Sequence, residues 1–187
     1  MAAKRRRLAE RPEIILEAAA AVLVKRGARG LTIDAVAAEA GLSKGGVLHH
    51  YASKEALVLA LVARKLTQLR EELAACAAEI PTGPSQLPVA MVAHVRGHYC
   101  DDDESARALL LASMESPEAQ KGYKAFVAEQ LGRLGGIQGA SPGEGSVLFF
   151  AILGLFMGRA LGFHQLGEED LTPMLDALER IARRVEA

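Results

Sequence analysis

Residues 31–57 read LTIDAVAAEAGLSKGGVLHHYASKEAL, and the division of that stretch into elements decides the fold. Thr32 is a good N-cap and Asp34 follows it in a first helical turn, where a carboxylate meets the positive end of the helix dipole. Ile33, Val36, Ala37 and Ala40 then fall on one helical face, and Gly41 supplies the stop that a left-handed C-terminal residue requires. Ser43 is a second N-cap, opening a short helix at about 44–50. Ser53 is a third, with Glu55 in the first turn of a fourth helix. Helix, glycine turn, capping residue, helix is the grammar of a helix-turn-helix. The helix that follows Ser43 is too polar and too rich in glycine to be core. It displays Lys and His and is held by a helix that is mostly Ala, an arrangement suited to insertion into a DNA groove.

Working outward, Pro12 fits the first turn of a helix. Ile15, Ala18, Ala19, Val22 and Leu23 form one face of that helix, and Gly27 and Gly30 end it. On the other side, Leu57, Leu61 and Leu69 carry the fourth helix toward residue 79, before a break at Pro81, Gly83, Pro84 and Pro88. Further helices are predicted at about 85–100, 104–115, 117–134, 146–165 and 170–186. Residues 135–145 form a glycine-rich loop. No alternating β-branched run appears, so the chain reads as all-α with about nine helices.

Half of the 187 residues are hydrophobic, aromatics make up 4%, and there is no Trp. The net charge of −1 conceals a division. Residues 1–70 carry 13 Lys/Arg against 6 Asp/Glu, and residues 71–187 carry 9 against 17. A basic front half suits a polyanion, which the acidic remainder would repel. Arg5, Arg6 and Arg7 lie in a basic arm with no apolar segment behind it, unlike a secretory signal. Cys76 and Cys100 are too few for a disulfide framework or a Cys-based zinc site, which fits a reducing, cytoplasmic setting. Residues 147–163 hold a single charge, Arg159. As a helix they span about 26 Å, short of the roughly 30 Å needed to cross a bilayer, so burial against a partner is the expectation and not a membrane span.

The run from Gly41 through Leu57, GLSKGGVLHHYASKEAL, resembles the TetR family of transcriptional regulators, a common form of which is G-V-S-K-G-T-L-Y-H-H-F-x-S-K-E-A-L. The likeness covers roughly residues 12–60 without a gap. It implies a helix-turn-helix DNA-binding domain at 1–60, followed by a helical ligand-binding and dimerisation domain at 61–187. The expected DNA contacts are Thr32, Ser43, Lys44, Gly45, Leu48, His49, Tyr51 and Lys54. Lys44, in the first turn after Ser43, can reach a base edge or a phosphate. Lys54 opens the fourth helix, where the family places a backbone phosphate, and Thr32 resembles another phosphate contact. The resemblance favours His49 over His50 as a DNA contact, and makes Tyr51 the aromatic that packs between the helices. Gly45 and Gly46 each cost about 1 kcal/mol against Ala in a helix, so close approach to DNA or to Ala37 and Ala40 is implied. Leu48 stands where Tyr is frequent; it can meet a thymine methyl or turn into the core, the latter slightly favoured. Arg5, Arg6 and Arg7 can follow the minor groove or phosphates.

A short reading helix binds weakly alone, so a homodimer on a pseudo-palindromic operator is expected. Gly154, Gly158 and Gly162 stand at i, i+4, i+8 beside Leu155, and Leu175 and Leu178 lie on the last helix; these form the expected interface. The resemblance implies that the middle helices enclose an unidentified small molecule whose binding releases DNA. Met91, His94, His98, Met114, Phe126 and Phe149 are candidate lining residues. His94 and His98 have a metal-compatible i, i+4 spacing, but a site needs a third ligand and groups that orient the imidazoles. No metal and no cofactor is assigned. No nucleophile–base pair, phosphate loop or paired-carboxylate spacing supports an enzyme.

Overall fold

A computed structural model describes residues 11–101, 103–135 and 143–184, which form nine α-helices and no strand among the described residues. They are α1 (Arg11–Gly30), α2 (Ile33–Ala40), α3 (Lys44–Leu48), α4 (Lys54–Ala78), α5 (Gln86–His98), α6 (Glu104–Met114), α7 (Pro117–Gly135), α8 (Glu144–Ala160) and α9 (Glu168–Arg184). The basic arm with Arg5, Arg6 and Arg7, and most of the glycine-rich loop, lie outside the described residues.

The helix boundaries near the front of the chain follow from local chemistry. Gly27 breaks α1 with φ 67°, ψ −178°, a backbone state that a side chain would disfavour. The Thr32 hydroxyl accepts from the Ala35 amide at 3.1 Å and starts α2. Gly41 ends it in the left-handed region, and the Leu42 amide returns to the Ala37 carbonyl at 2.9 Å. The Ser43 hydroxyl accepts from the Gly46 amide and the Ser53 hydroxyl from the Ala56 amide, each at 3.1 Å. All three expected caps are therefore made.

Two compact units are present. The first comprises the described residues as far as Leu66 together with Asp103–Tyr123. Its core is Ile15, Leu23, Leu31, Val36, Val47 and Leu57, all fully buried. α1 packs against α2 and α6, and α2 packs against α3. Asp103 joins this unit by capping α6 at the Ala106 amide, 2.9 Å, and pairing with Lys65 at 2.8 Å. Burial pulls the Asp103 carboxyl upward, but its hydrogen bonds from Lys65 and the Ala106 amide outweigh that and hold it below the ordinary carboxylate value.

The second unit begins at Thr67 in α4 and takes in α5, most of α7, α8 and α9. α5 packs against α8 and α9. Val92, Tyr99, Leu148 and Leu175 are buried there. Arg70 pairs with Glu129 at 2.7 Å and lays its guanidinium over the Phe126 ring, 5.3 Å from the centroid.

Candidate nucleic-acid interface

α3 has only five residues, too few to hold itself in water. Two anchors fix it. Ser43 caps its first turn, and Val47 is fully buried. With Val47 turned inward, the opposite face is committed outward: Thr32, Ser43, Lys44, Gly45, Leu48 and His49 are all exposed. These six expected DNA contacts therefore share solvent access on one unit. His49 and His50 meet edge to face, with His50 less exposed.

The two lysines differ. Lys44 is exposed and its ammonium lies 3.0 Å from the Asp34 carboxylate, across the turn. Such a surface pair is weak and leaves the cation available to a phosphate. Lys54 instead points back and donates to the Ala28 carbonyl at 2.7 Å, part-buried. It closes the C-terminal end of α1 as well as opening α4. Sequence spacing could not reveal a partner 26 positions away. Tyr51 is half-buried, and burial followed by the nearby Glu13 raises its phenol above the usual value.

Two sequence expectations need correction here. Leu48 does not enter the core: it is 40% exposed, because the single inward position of so short a helix is taken by Val47. Nor does Gly45 serve close packing on Ala37 or Ala40, since a methyl group there meets nothing within 4 Å. At Gly46 a methyl would press on the capping Ser43 hydroxyl at 3.3 Å.

In the second unit, Met91, Phe126 and Phe149 are buried core side chains. Met114 belongs to the first unit and is 63% exposed at the end of α6. An opening of about 480 Å³ lies elsewhere, walled by Ile80, Val89 and Ala93 and rimmed by Arg96, Glu179 and Arg183. Arg96 is held there by Asp176 at 2.9 Å and Glu179 at 3.2 Å. His94 is buried, its Nε2 3.9 Å from a Glu72 carboxylate oxygen, and stacks on His98.

The glycine stripe of the last helices is also corrected. Only Gly154 faces open space on α8. Gly158 is buried, and a methyl there would collide with the His164 imidazole. Gly162 lies beyond the end of α8, in a left-handed turn at φ 75°. Leu155 and Leu175 are buried within the unit, and Leu178 is half-buried. The large apolar groups left outside are Val147, Phe150, Leu161, Phe163 and Met174. Val147, Phe150 and Gly154 recur at i, i+3, i+7, a signal the sequence carried but which the more conspicuous glycines obscured.

Comparison with known proteins gives two family matches. Residues 15–61 match the model for bacterial regulatory proteins of the tetR family. Residues 86–183 match that for the tetracyclin repressor-like C-terminal domain. No curated protein matches the chain. Among solved structures, the multidrug binding protein EbrR complexed with malachite green superposes with a TM-score of 0.70 at 20% identity, over 95% of this chain and 99% of that one. A TetR-family member from Streptomyces coelicolor A3 gives 0.68 at 21% identity, over 95% and 99%. The fatty acid degradation regulator FadR from Bacillus halodurans gives 0.66 at 13% identity, over 94% of each chain.

Proposed function

The chain belongs to the TetR family of bacterial regulatory proteins, and from that premise we propose that it is a repressor released from its operator by a small molecule. Members of the family are DNA-binding transcriptional regulators and not enzymes. They act as dimers on operator DNA. The observation that carries the reading for this chain is the outward face of α3 and its flanks: Thr32, Ser43, Lys44, Gly45, Leu48 and His49 exposed around an inward Val47. In this reading Lys44 and His49 contact bases or phosphates, Leu48 meets a thymine methyl, and the α2 and α4 N-termini receive phosphates. Tyr51 and Lys54 set the angle of the helix, and Lys54 keeps donors to spare for a phosphate.

One copy reads few base pairs, so two copies related by a two-fold axis share the operator. We place the dimer contact on the free face of α8, with Val147, Phe150 and Gly154 at its centre and Phe163 and Met174 beside it. Their exposure supports this, because isolated domains rarely leave so many large apolar groups in water. The effector belongs in the second unit, where the opening beside Val89 and Ala93 has the size of small-molecule sites. Release requires the effector to bind the DNA-free form more tightly than the DNA-bound form. Cytoplasmic residence follows from the role.

A footprint of the purified chain on the DNA upstream of its own coding sequence tests the reading. The expected result is a protected segment made of two inverted half-sites, with protection lost when a releasing compound is found by screening. Protection without two-fold symmetry would contradict the dimeric reading.

A further inference from the structure

A site near His94 has the parts of a metal centre. Helix α5 places His94 and His98 one turn apart, and α4 brings Glu72 to them from the same unit. One ligand atom from each of Glu72, His94 and His98 lies within 4.8 Å of the others. His94 Nε2 and Glu72 Oε2 are already 3.9 Å apart. A tetrahedral zinc ion, with bonds of about 2.0–2.2 Å, draws its ligand atoms to about 3.3 Å, so the closure needed is a side-chain adjustment.

The supporting contacts match this. His98 Nδ1 lies 2.9 Å from the His94 carbonyl oxygen. A carbonyl only accepts, so this nitrogen carries the proton and Nε2 keeps its lone pair. That is how ligating histidines are commonly fixed. The two imidazoles are stacked with centroids 4.5 Å apart, and Phe156 stands 6.0 Å from His94, giving the site an apolar wall. His94 is buried while the Glu72 carboxylate retains partial exposure. An ion can therefore enter from the Glu72 side and leave one coordination position open.

We propose that Glu72, His94 and His98 bind a divalent first-row transition ion, zinc or an ion of similar preference, through two imidazole nitrogens and one carboxylate oxygen. Two imidazoles and one carboxylate suit such ions better than calcium or magnesium, which favour all-oxygen shells. The site stands on this geometry and does not depend on the DNA-binding reading.

The test is calorimetric titration of the full-length, chelator-treated chain with zinc chloride, paired with the visible spectrum of the chain with cobalt(II). The expected result is one ion per chain, visible cobalt bands of a low-coordinate nitrogen–oxygen site, and at least tenfold weaker zinc binding in His98→Ala and in Glu72→Gln. Those two side chains reach solvent, so they carry the test even if His94→Ala disturbs the core. Circular dichroism confirms that each variant is folded. Absence of stoichiometric binding would overturn the proposal, as would binding unchanged in the folded His98→Ala and Glu72→Gln variants.

Discussion

Lys44 carries an ion pair that the proposed DNA contact would have to replace. In the free protein its ammonium meets Asp34 at 3.0 Å, with both groups well exposed. In the proposed complex a phosphate or a guanine edge would take the place of that carboxylate, and Asp34 would be left beside the polyanion. Lys44→Ala is therefore expected to weaken operator binding about tenfold and to flatten the dependence of log Kd on log salt. Asp34→Asn should have the opposite sign, tightening binding, because it frees Lys44 and removes a like charge. Fluorescence anisotropy with labelled operator at several salt concentrations measures both, and a loss of affinity in Asp34→Asn would count against this geometry. The caps at Thr32, Ser43 and Ser53 were legible because a cap and its amide are three residues apart. The Lys54–Ala28 bond was not, because it joins distant parts of the chain.

Among the described elements α3 is the shortest, and Val47 is its one buried residue. Gly45 has open space around its missing side chain. Gly45→Ala should therefore stabilise the fold, by up to about 1 kcal/mol, in urea denaturation. If the space is kept for DNA, the same change weakens operator binding. A variant both more stable and unimpaired in binding would show that the glycine serves neither. Leu48 illustrates the limit of pattern reading in so short an element: the sequence permitted either face, and the buried Val47 settles the matter. At the start of α6, Asp103 is depressed in the fold by its bonds to Lys65 and the Ala106 amide, in spite of its burial. A folded-state value below the unfolded value of about 3.9 adds stability at neutral pH, which is lost as pH falls through the depressed value. Thermal melts should fall in acid, and Asp103→Asn should make that fall shallower while lowering the neutral-pH Tm.

At the level of the whole molecule, the order of the nine helices among the described residues was readable because Gly, Pro and capping residues punctuate the chain. Their grouping was less so. The sequence divides at 60/61, whereas packing joins Asp103–Tyr123 to the described residues up to Leu66 through long-range contacts such as α6 on α1. The same limit affected the expected interface. Gly158 and Leu155 are spaced correctly for a partner helix but are used within their own unit, and Phe150 is left outside at 53% exposure. Phe150→Glu should shift the chain from dimer to monomer in analytical ultracentrifugation and reduce operator affinity, with the helical content unchanged. A stable Phe150→Glu dimer would move the interface elsewhere.

Recognition of a DNA sequence by the face around Lys44 is the proposal on which the others rest. It is tested most directly by the affinity of the purified chain for a duplex from its own upstream region against a scrambled duplex of equal length, in the same salt. At least about 10³-fold tighter binding to the upstream duplex is expected, the lower range for specific over non-specific recognition, with much of the difference lost in the Lys44→Ala, His49→Ala double variant. Equal affinity for the two duplexes, or a preference untouched by the double variant, would contradict it.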